Sequence, residues 1–131
     1  NFIFNIFGKG YYKKKIFKNK KINTYSWKMQ NKIYNQIDIL LLTSPIENCP
    51  FTVLESKSYG VPTLSISKGG VKEIIKNNYD GIILNYNSNI SKIKNSLFEI
   101  QKKYIKFQKE CLKNRNKYDE KICISKLLKK L

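Results

Sequence analysis

The feature that most restricts this chain is the stretch from Ile37 to Gly60, IDILLLTSPIENCPFTVLESKSYG. Ile37-Asp38-Ile39-Leu40-Leu41-Leu42 is a short apolar run of the kind buried on both faces of a parallel sheet. A turn, Thr43-Ser44-Pro45, follows it, and Glu47 and Glu55 then stand around Pro50 with seven residues between them. From Pro50 the pattern becomes helical, with Phe51, Leu54 and Tyr59 spaced to pack back on the sheet. Pro50 suits the first helical position, where a missing N–H costs little. The amides of Phe51, Thr52 and Val53 would then lack intrahelical acceptors and face an anion or a polar ligand. Glu55 falls ~7–8 Å along this helix at ~1.5 Å per residue. The two carboxylates are therefore too far apart to share a proton and better placed to grip two ends of one hydroxyl-rich ligand. They also read as ordinary surface carboxylates. Against that, the chain has nine acidic residues in all, and two of them flank its one proline-started helix.

Strand and helix patterns alternate along the rest of the chain. Phe2–Phe7 reads as a strand, followed by Gly8-Lys9-Gly10 and a helical stretch from about Tyr11 to Lys18. The run Gly8-x-Gly10-x-x-Lys13 lacks the third glycine of a dinucleotide loop, and a tight strand-to-helix turn accounts for it. Ile22–Tyr25 is a short strand, and Ser26-Trp27 opens a helix through Met29, Ile33 and Tyr34. Val61–Ile66 is another buried strand, ending in Lys68-Gly69-Gly70, and a short helix follows at Val71–Lys76. Asn77–Gly81 is turn chemistry leading into the strand Gly81–Leu84. From Ser88 one helical pattern continues through Ile90, Ile93, Leu97, Ile100, Tyr104 and Phe107. A last amphipathic helix is expected at about 119–131. This order predicts an α/β fold, a three-layer, Rossmann-like parallel sheet, as one domain over 1–131. Ligands of such sheets bind beyond the C-terminal strand ends. The loops expected there are Gly8–Gly10, Ser26–Lys28, Thr43–Thr52 and Lys68–Val71.

Composition narrows the function classes. The chain starts at Asn1, directly on a strand-like run, and is expected to be a piece of a longer protein. It has no histidine, and its three cysteines, Cys49, Cys111 and Cys123, follow no metal-ligand spacing. Neither a zinc site nor a disulfide scaffold is expected, and no cofactor is implied. No apolar run approaches the ~20 residues of a membrane span, and the cysteine usage makes a reducing cytoplasm the expectation. The net charge of +17 would suit nucleic acid or an anionic membrane surface. However, lysine supplies 25 of the 26 basic residues, Arg115 is the lone arginine, and alanine is absent. Asn, Ile, Tyr and Lys share A/T-rich codons, so biased coding DNA accounts for much of the excess. One arginine is a poor kit for reading bases. Peripheral contact with an anionic membrane is the remaining functional reading of the charge.

Other candidates each have a plain structural reading. Gly69-Gly70 fits a strand-to-helix turn, or a place where backbone comes close to a ligand. Trp27 fits a packing residue, or a stacking surface for a base. Cys49 lies beside the carboxylates, yet no base is at hand to activate it as a nucleophile.

Taken together, Asp38–Pro45, Glu47-x7-Glu55, Gly60-Val61-Pro62 and Gly69-Gly70-Val71-Lys72-Glu73 resemble the retaining glycosyltransferases of family four. Ile6-Phe7-Gly8-Lys9-Gly10 upstream and Asn78-x-x-Gly81-Ile82-Ile83-Leu84 downstream extend the resemblance over nearly the whole chain. It implies a GT-B architecture, of which this chain is similar to the C-terminal, donor-binding half. By that resemblance Glu47 is the catalytic carboxylate, holding hydroxyls of the transferred sugar, and Glu55 binds the ribose. Backbone at Cys49, Phe51 and Thr52 lies near sugar and phosphates, Ser26-Trp27-Lys28 borders the base, and Gly69 and Gly70 complete the donor loops. The implied partners are a nucleotide-diphosphate sugar and a glycan or lipid-linked acceptor carried by an N-terminal domain, for polysaccharide, capsule or lipopolysaccharide assembly. Two departures stand out. Pro50 occupies a position that is often glycine in the family, and the family's basic pair for the diphosphate lies upstream of the Phe2–Phe7 strand. The competing expectations are a non-catalytic sugar-nucleotide-binding remnant and a basic nucleic-acid-binding α/β domain.

Overall fold

The computed structural model describes residues 2–7, 22–25, 30–119, 121, 124–125 and 128–129. The chain forms two compact units, Asn1–Ile37 and Asp38–Leu131. In the first, strand β1 (Phe4–Phe7) pairs in parallel with β2 (Ile22–Tyr25), Phe4 lying opposite Ile22 and Phe7 opposite Tyr25. The rings of Phe7 and Tyr25 stack with centroids 5.1 Å apart. Helix α1 (Gln30–Tyr34) buries Ile33 and Tyr34. The glycine turn Gly8–Gly10, the expected helix over 11–18 and the loop Ser26-Trp27-Lys28 lie outside the described residues.

The second unit runs β3 (Leu40–Leu42), β4 (Ile46–Glu47), α2 (Phe51–Ser58), β5 (Thr63–Ser65), β6 (Lys68–Gly69), α3 (Val71–Ile74) and β7 (Gly81–Ile83). Helices α4 (Ile90–Lys102) and α5 (Tyr104–Lys113) and a 3-10 turn (Arg115–Tyr118) follow. Strands β3, β5 and β7 form a sheet in the order β3-β5-β7. Both pairings are parallel, with helix α2 in the first crossover and α3 in the second. This is the expected α/β pattern, with strands shorter than the apolar runs that encode them.

The central strand β5 is buried at every position although its sequence is Thr-Leu-Ser. Its hydroxyls are satisfied: Thr63 Oγ1 lies 3.2 Å from Ser56 Oγ, and Ser65 Oγ accepts the Ser67 amide at 3.1 Å. Buried hydroxyls cost little once hydrogen-bonded. The apolar core comprises Leu42, Val53, Val71, Ile74 and Ile75, with Leu40, Leu54 and Ile83 against it. Helices α4 and α5 add Leu97, Ile100, Phe107 and Cys111 to the buried interior.

Three expectations about helices are corrected. Pro50 is the N-cap of α2, with ψ 104, rather than its first helical residue. The helix turns Val53, Ser56 and Lys57 inward and leaves Phe51 72% exposed, so Phe51 does not pack on the sheet. The single helix read from Ser88 to Phe107 is two, broken at Lys103 (φ −109, ψ 22). Ile90, counted among its apolar positions, begins α4 beyond the packed surface and is 83% exposed. Of the terminal helix expected at 119–131, Lys121, Ile124, Ser125 and Leu128 are helical, Asp119 is extended and Lys129 is in a turn, and the rest lies outside the described residues.

Candidate functional site

Glu47 does not sit on a free loop. Strand β4 pairs in parallel with β6, Ile46 opposite Lys68 and Glu47 opposite Gly69. The Lys68 amide donates to Pro45 O at 3.0 Å, and the Gly70 amide donates to Glu47 O at 3.0 Å. The backbone carrying Glu47 is therefore tied to the segment that leaves the C-terminal end of β5. No apolar periodicity marks either two-residue strand, so sequence reading missed both.

The glycine pair permits that pairing. Gly69 has φ +94, a conformation that side chains rarely adopt, and a Cβ there would stand 2.6 Å from Glu47 O. Gly70 has an ordinary φ of −72, yet a Cβ on it would run into the Asn48 carbonyl. The close approach made by both glycines is to the Glu47–Asn48 backbone. Asn48, absent from the sequence-based candidates, is thus part of the turn.

Helix α2 begins four residues after Glu47. The Val53 amide donates to Pro50 O at 3.0 Å and is therefore not open to a ligand, contrary to the sequence reading. Phe51 and Thr52 supply the amides that precede it. Cys49, Phe51 and Thr52 are exposed, and Glu47 and Glu55 are half-buried. Glu55 lies one turn into the helix, on a segment fixed by its neighbours. Ser56 Oγ donates to Val53 O at 2.9 Å, and Lys57 Nζ reaches Asp80 Oδ2 and Ile74 O, both at 2.7 Å. The two carboxylates thus rest on different supports, the β4–β6 pairing and helix α2. Ser26, Trp27 and Lys28 lie outside the described residues.

Two further residues at this end of the sheet escaped sequence reading. Lys68 Nζ lies 5.9 Å from the ring centre of Tyr86, which follows β7. An aromatic residue within an Asn-rich turn was the available signal. Ser67 is 4% exposed, and its hydroxyl has no hydrogen-bond partner among the described residues. Among those residues no three His, Cys, Asp or Glu side chains come together to hold a metal ion. None of their helices is long and apolar enough to cross a membrane.

At the opposite end of the sheet lies a buried ion pair, Lys57–Asp80, with side chains 5% and 3% exposed. Asp80 Oδ1 also accepts the Lys76 amide at 2.8 Å, and Cys111 Sγ donates to Asp80 O at 3.2 Å. Burial, then the nearby Asp80 charge, pushes the Cys111 thiol up to about 12, with Lys57 opposing. Burial and Asp38 likewise raise Tyr104.

A short α/β unit of parallel strands, its two glutamates at the loop-and-helix end, has the form of one Rossmann-like half of a GT-B enzyme. The family of glycosyl transferases group 1 matches residues 4–118, and the chain belongs to that family. Solved structures of low identity share the fold. The pneumococcal O-GlcNAc transferase GtfA, in complex with UDP and GlcNAc, is 17% identical with a TM-score of 0.80. The lipopolysaccharide outer core galactosyltransferase WaaB is 23% identical with a TM-score of 0.71. HepE of Anabaena, in complex with UDP, is 15% identical with a TM-score of 0.69. These alignments cover 98%, 98% and 85% of this chain, but only 28%, 41% and 33% of those proteins. The chain thus spans well under half the length of the enzymes it matches, and it corresponds to their C-terminal half. No curated protein matches the chain.

Proposed function

We propose that this chain is the donor-binding half of a retaining hexosyltransferase that uses a nucleotide-diphosphate sugar. The supporting observation is the anchoring of Glu47 on the Gly69–Gly70 turn beside helix α2, which carries Glu55, in a chain of the group 1 family. Glu47 receives hydroxyls of the transferred sugar and Glu55 those of the ribose. Backbone at Cys49, Phe51 and Thr52, with the Gly69–Gly70 turn, borders the sugar and the diphosphate. Ser26, Trp27 and Lys28 border the base.

In the reaction a hydroxyl of a glycan or lipid-linked acceptor forms a C–O bond to the anomeric carbon. The bond from that carbon to the diphosphate oxygen breaks on the same face, and the hydroxyl proton leaves with the diphosphate. Retention of configuration follows from that geometry. Positive charge set out in advance around the departing diphosphate lowers the barrier. The acceptor belongs to an N-terminal domain, and that charge to a segment upstream of the Phe2–Phe7 strand. The product is a surface glycan or glycolipid, made at the inner face of a membrane, where the lysine-rich surface adds attraction of about 1 kcal/mol per lysine close to anionic lipid.

The test is a thermal-shift panel of UDP-glucose, UDP-galactose, UDP-N-acetylglucosamine and GDP-mannose against UDP and GDP. A donor at ten times its Kd stabilises the fold by about 1.4 kcal/mol, a rise of several degrees in Tm. The 131-residue chain is expected to bind weakly and not to transfer. Adding the N-terminal domain should restore transfer, and Glu47→Gln in that protein should remove it while leaving Tm unchanged. No response to any nucleotide, with steeply salt-dependent DNA binding instead, would refute the proposal.

A further inference from the structure

The glycines at 69 and 70 touch protein backbone, and that contact has a mechanical consequence for the site. A ladder of two residue pairs is weak by itself. Here it is reinforced from below: Gly70 immediately precedes α3, whose Val71 is fully buried and whose Ile74 packs in the same core cluster. The amides on either side of Gly69 hold the carbonyls of Pro45 and Glu47, so the core bears directly on the backbone of Glu47. Helix α2, which carries Glu55, shares this core through Val53 and bonds Ile74 O through Lys57, whereas the Lys68 and Gly70 amides bond Pro45 and Glu47 on the other loop.

We infer that Gly70 is a positioning residue for Glu47, setting the grip on the transferred sugar separately from the grip on the nucleotide. This rests on the proposed role of Glu47 as the sugar-binding carboxylate. Gly70 tests the idea more cleanly than Gly69. At φ −72 an alanine adopts the native backbone without strain, so its methyl group acts only by pushing on the Asn48 carbonyl. At Gly69 the positive φ would add strain of its own. Asn48 must retreat to accommodate the methyl, and the Glu47 loop moves with it while α2 keeps its seat.

The experiment is titration calorimetry with UDP, UDP-glucose, UDP-N-acetylglucosamine and UDP-galactose on the wild type, Gly70→Ala, Glu47→Ala and the double variant. In the wild type at least one sugar nucleotide binds more tightly than UDP, and Glu47→Ala removes that increment. Gly70→Ala should reduce the same increment about tenfold (1.4 kcal/mol) while UDP affinity changes less than twofold. The double variant should be no weaker than Glu47→Ala alone. Full retention of the increment in Gly70→Ala would overturn the inference. So would equal weakening of UDP and sugar-nucleotide binding, the mark of general damage. An intact increment in Glu47→Ala identifies the underlying reading as the failure instead. Hydrogen exchange on the unmutated protein gives an independent measure. The Lys68 and Gly70 amides should exchange more slowly with the tightest-binding sugar nucleotide than with UDP, and equal rates would overturn the inference.

Discussion

Cys49 and Cys111 show how differently one side chain behaves at two depths. Cys49 is exposed beside the glutamates, whereas Cys111 is buried and donates to Asp80 O. Thiolate is the reactive form, and burial opposes it. A thiol reagent at pH 8 should therefore modify Cys49 in the native protein and reach Cys111 only on unfolding, as mass spectrometry of the labelled peptides will resolve. The raised thiol also carries a pH dependence. The folded protein holds this proton up to about pH 12, whereas the unfolded chain releases it near 9.0. Its stabilising effect is complete below pH 9 and is lost progressively as pH rises toward 12. The slope is at most about 1.4 kcal/mol per pH unit. Between pH 8.5 and 10.5, Cys111→Ala should lose less of its stability in urea than the wild type does. Residue type alone does not separate the two cysteines. The difference is the packing of α5, which encloses one and not the other.

Among the elements, α4 is the best-formed helix by its ends. Asn89 caps it, with the side-chain oxygen accepting the Lys92 amide at 2.9 Å. Removing such a cap costs about 1 kcal/mol, so Asn89→Ala should lower Tm by several degrees in calorimetry. This start was legible, because Ser88-Asn89 precedes the apolar periodicity. The break at Lys103 was not, since neither Pro nor Gly stands near it and the apolar spacing continues across. Helix α2 is the reverse case. Its proline was legible but its buried face was not, because that face is partly Ser56 and Lys57. A polar inward face becomes possible only when distant residues supply partners, here Thr63, Ile74 and Asp80.

At the scale of the molecule, the Lys57–Asp80 pair ties α2 to the last residue of α3, to the turn before β7 and, through Cys111, to α5. Lys57→Met would leave the Asp80 carboxylate buried without its cation, at a cost of about 3–5 kcal/mol. Lys57→Met with Asp80→Asn should recover more than half of that loss in urea unfolding, because no bare charge remains inside. If the double variant is no more stable than the single one, the pair contributes through shape rather than charge. The net charge of +17 is a separate matter, since the lysines among the described residues, Lys57 apart, lie on the surface and leave the core undisturbed.

Local physics determined much of this protein directly from its sequence. Short apolar runs alternating with helical segments dictate parallel strands joined by helices, and Glu47-x7-Glu55 around Pro50 marks the end of the sheet proposed to hold the donor. Both are near-neighbour patterns that a chain carries in its order. What only the tertiary structure decided is how Glu47 is held. Its support comes from Gly69 and Gly70, more than twenty residues away, through backbone contacts that involve no side chain. Such contacts leave no hydrophobic period and no motif beyond a pair of glycines, and those fit a plain turn equally well. The glycines become informative once the fold brings the Asn48 carbonyl against them.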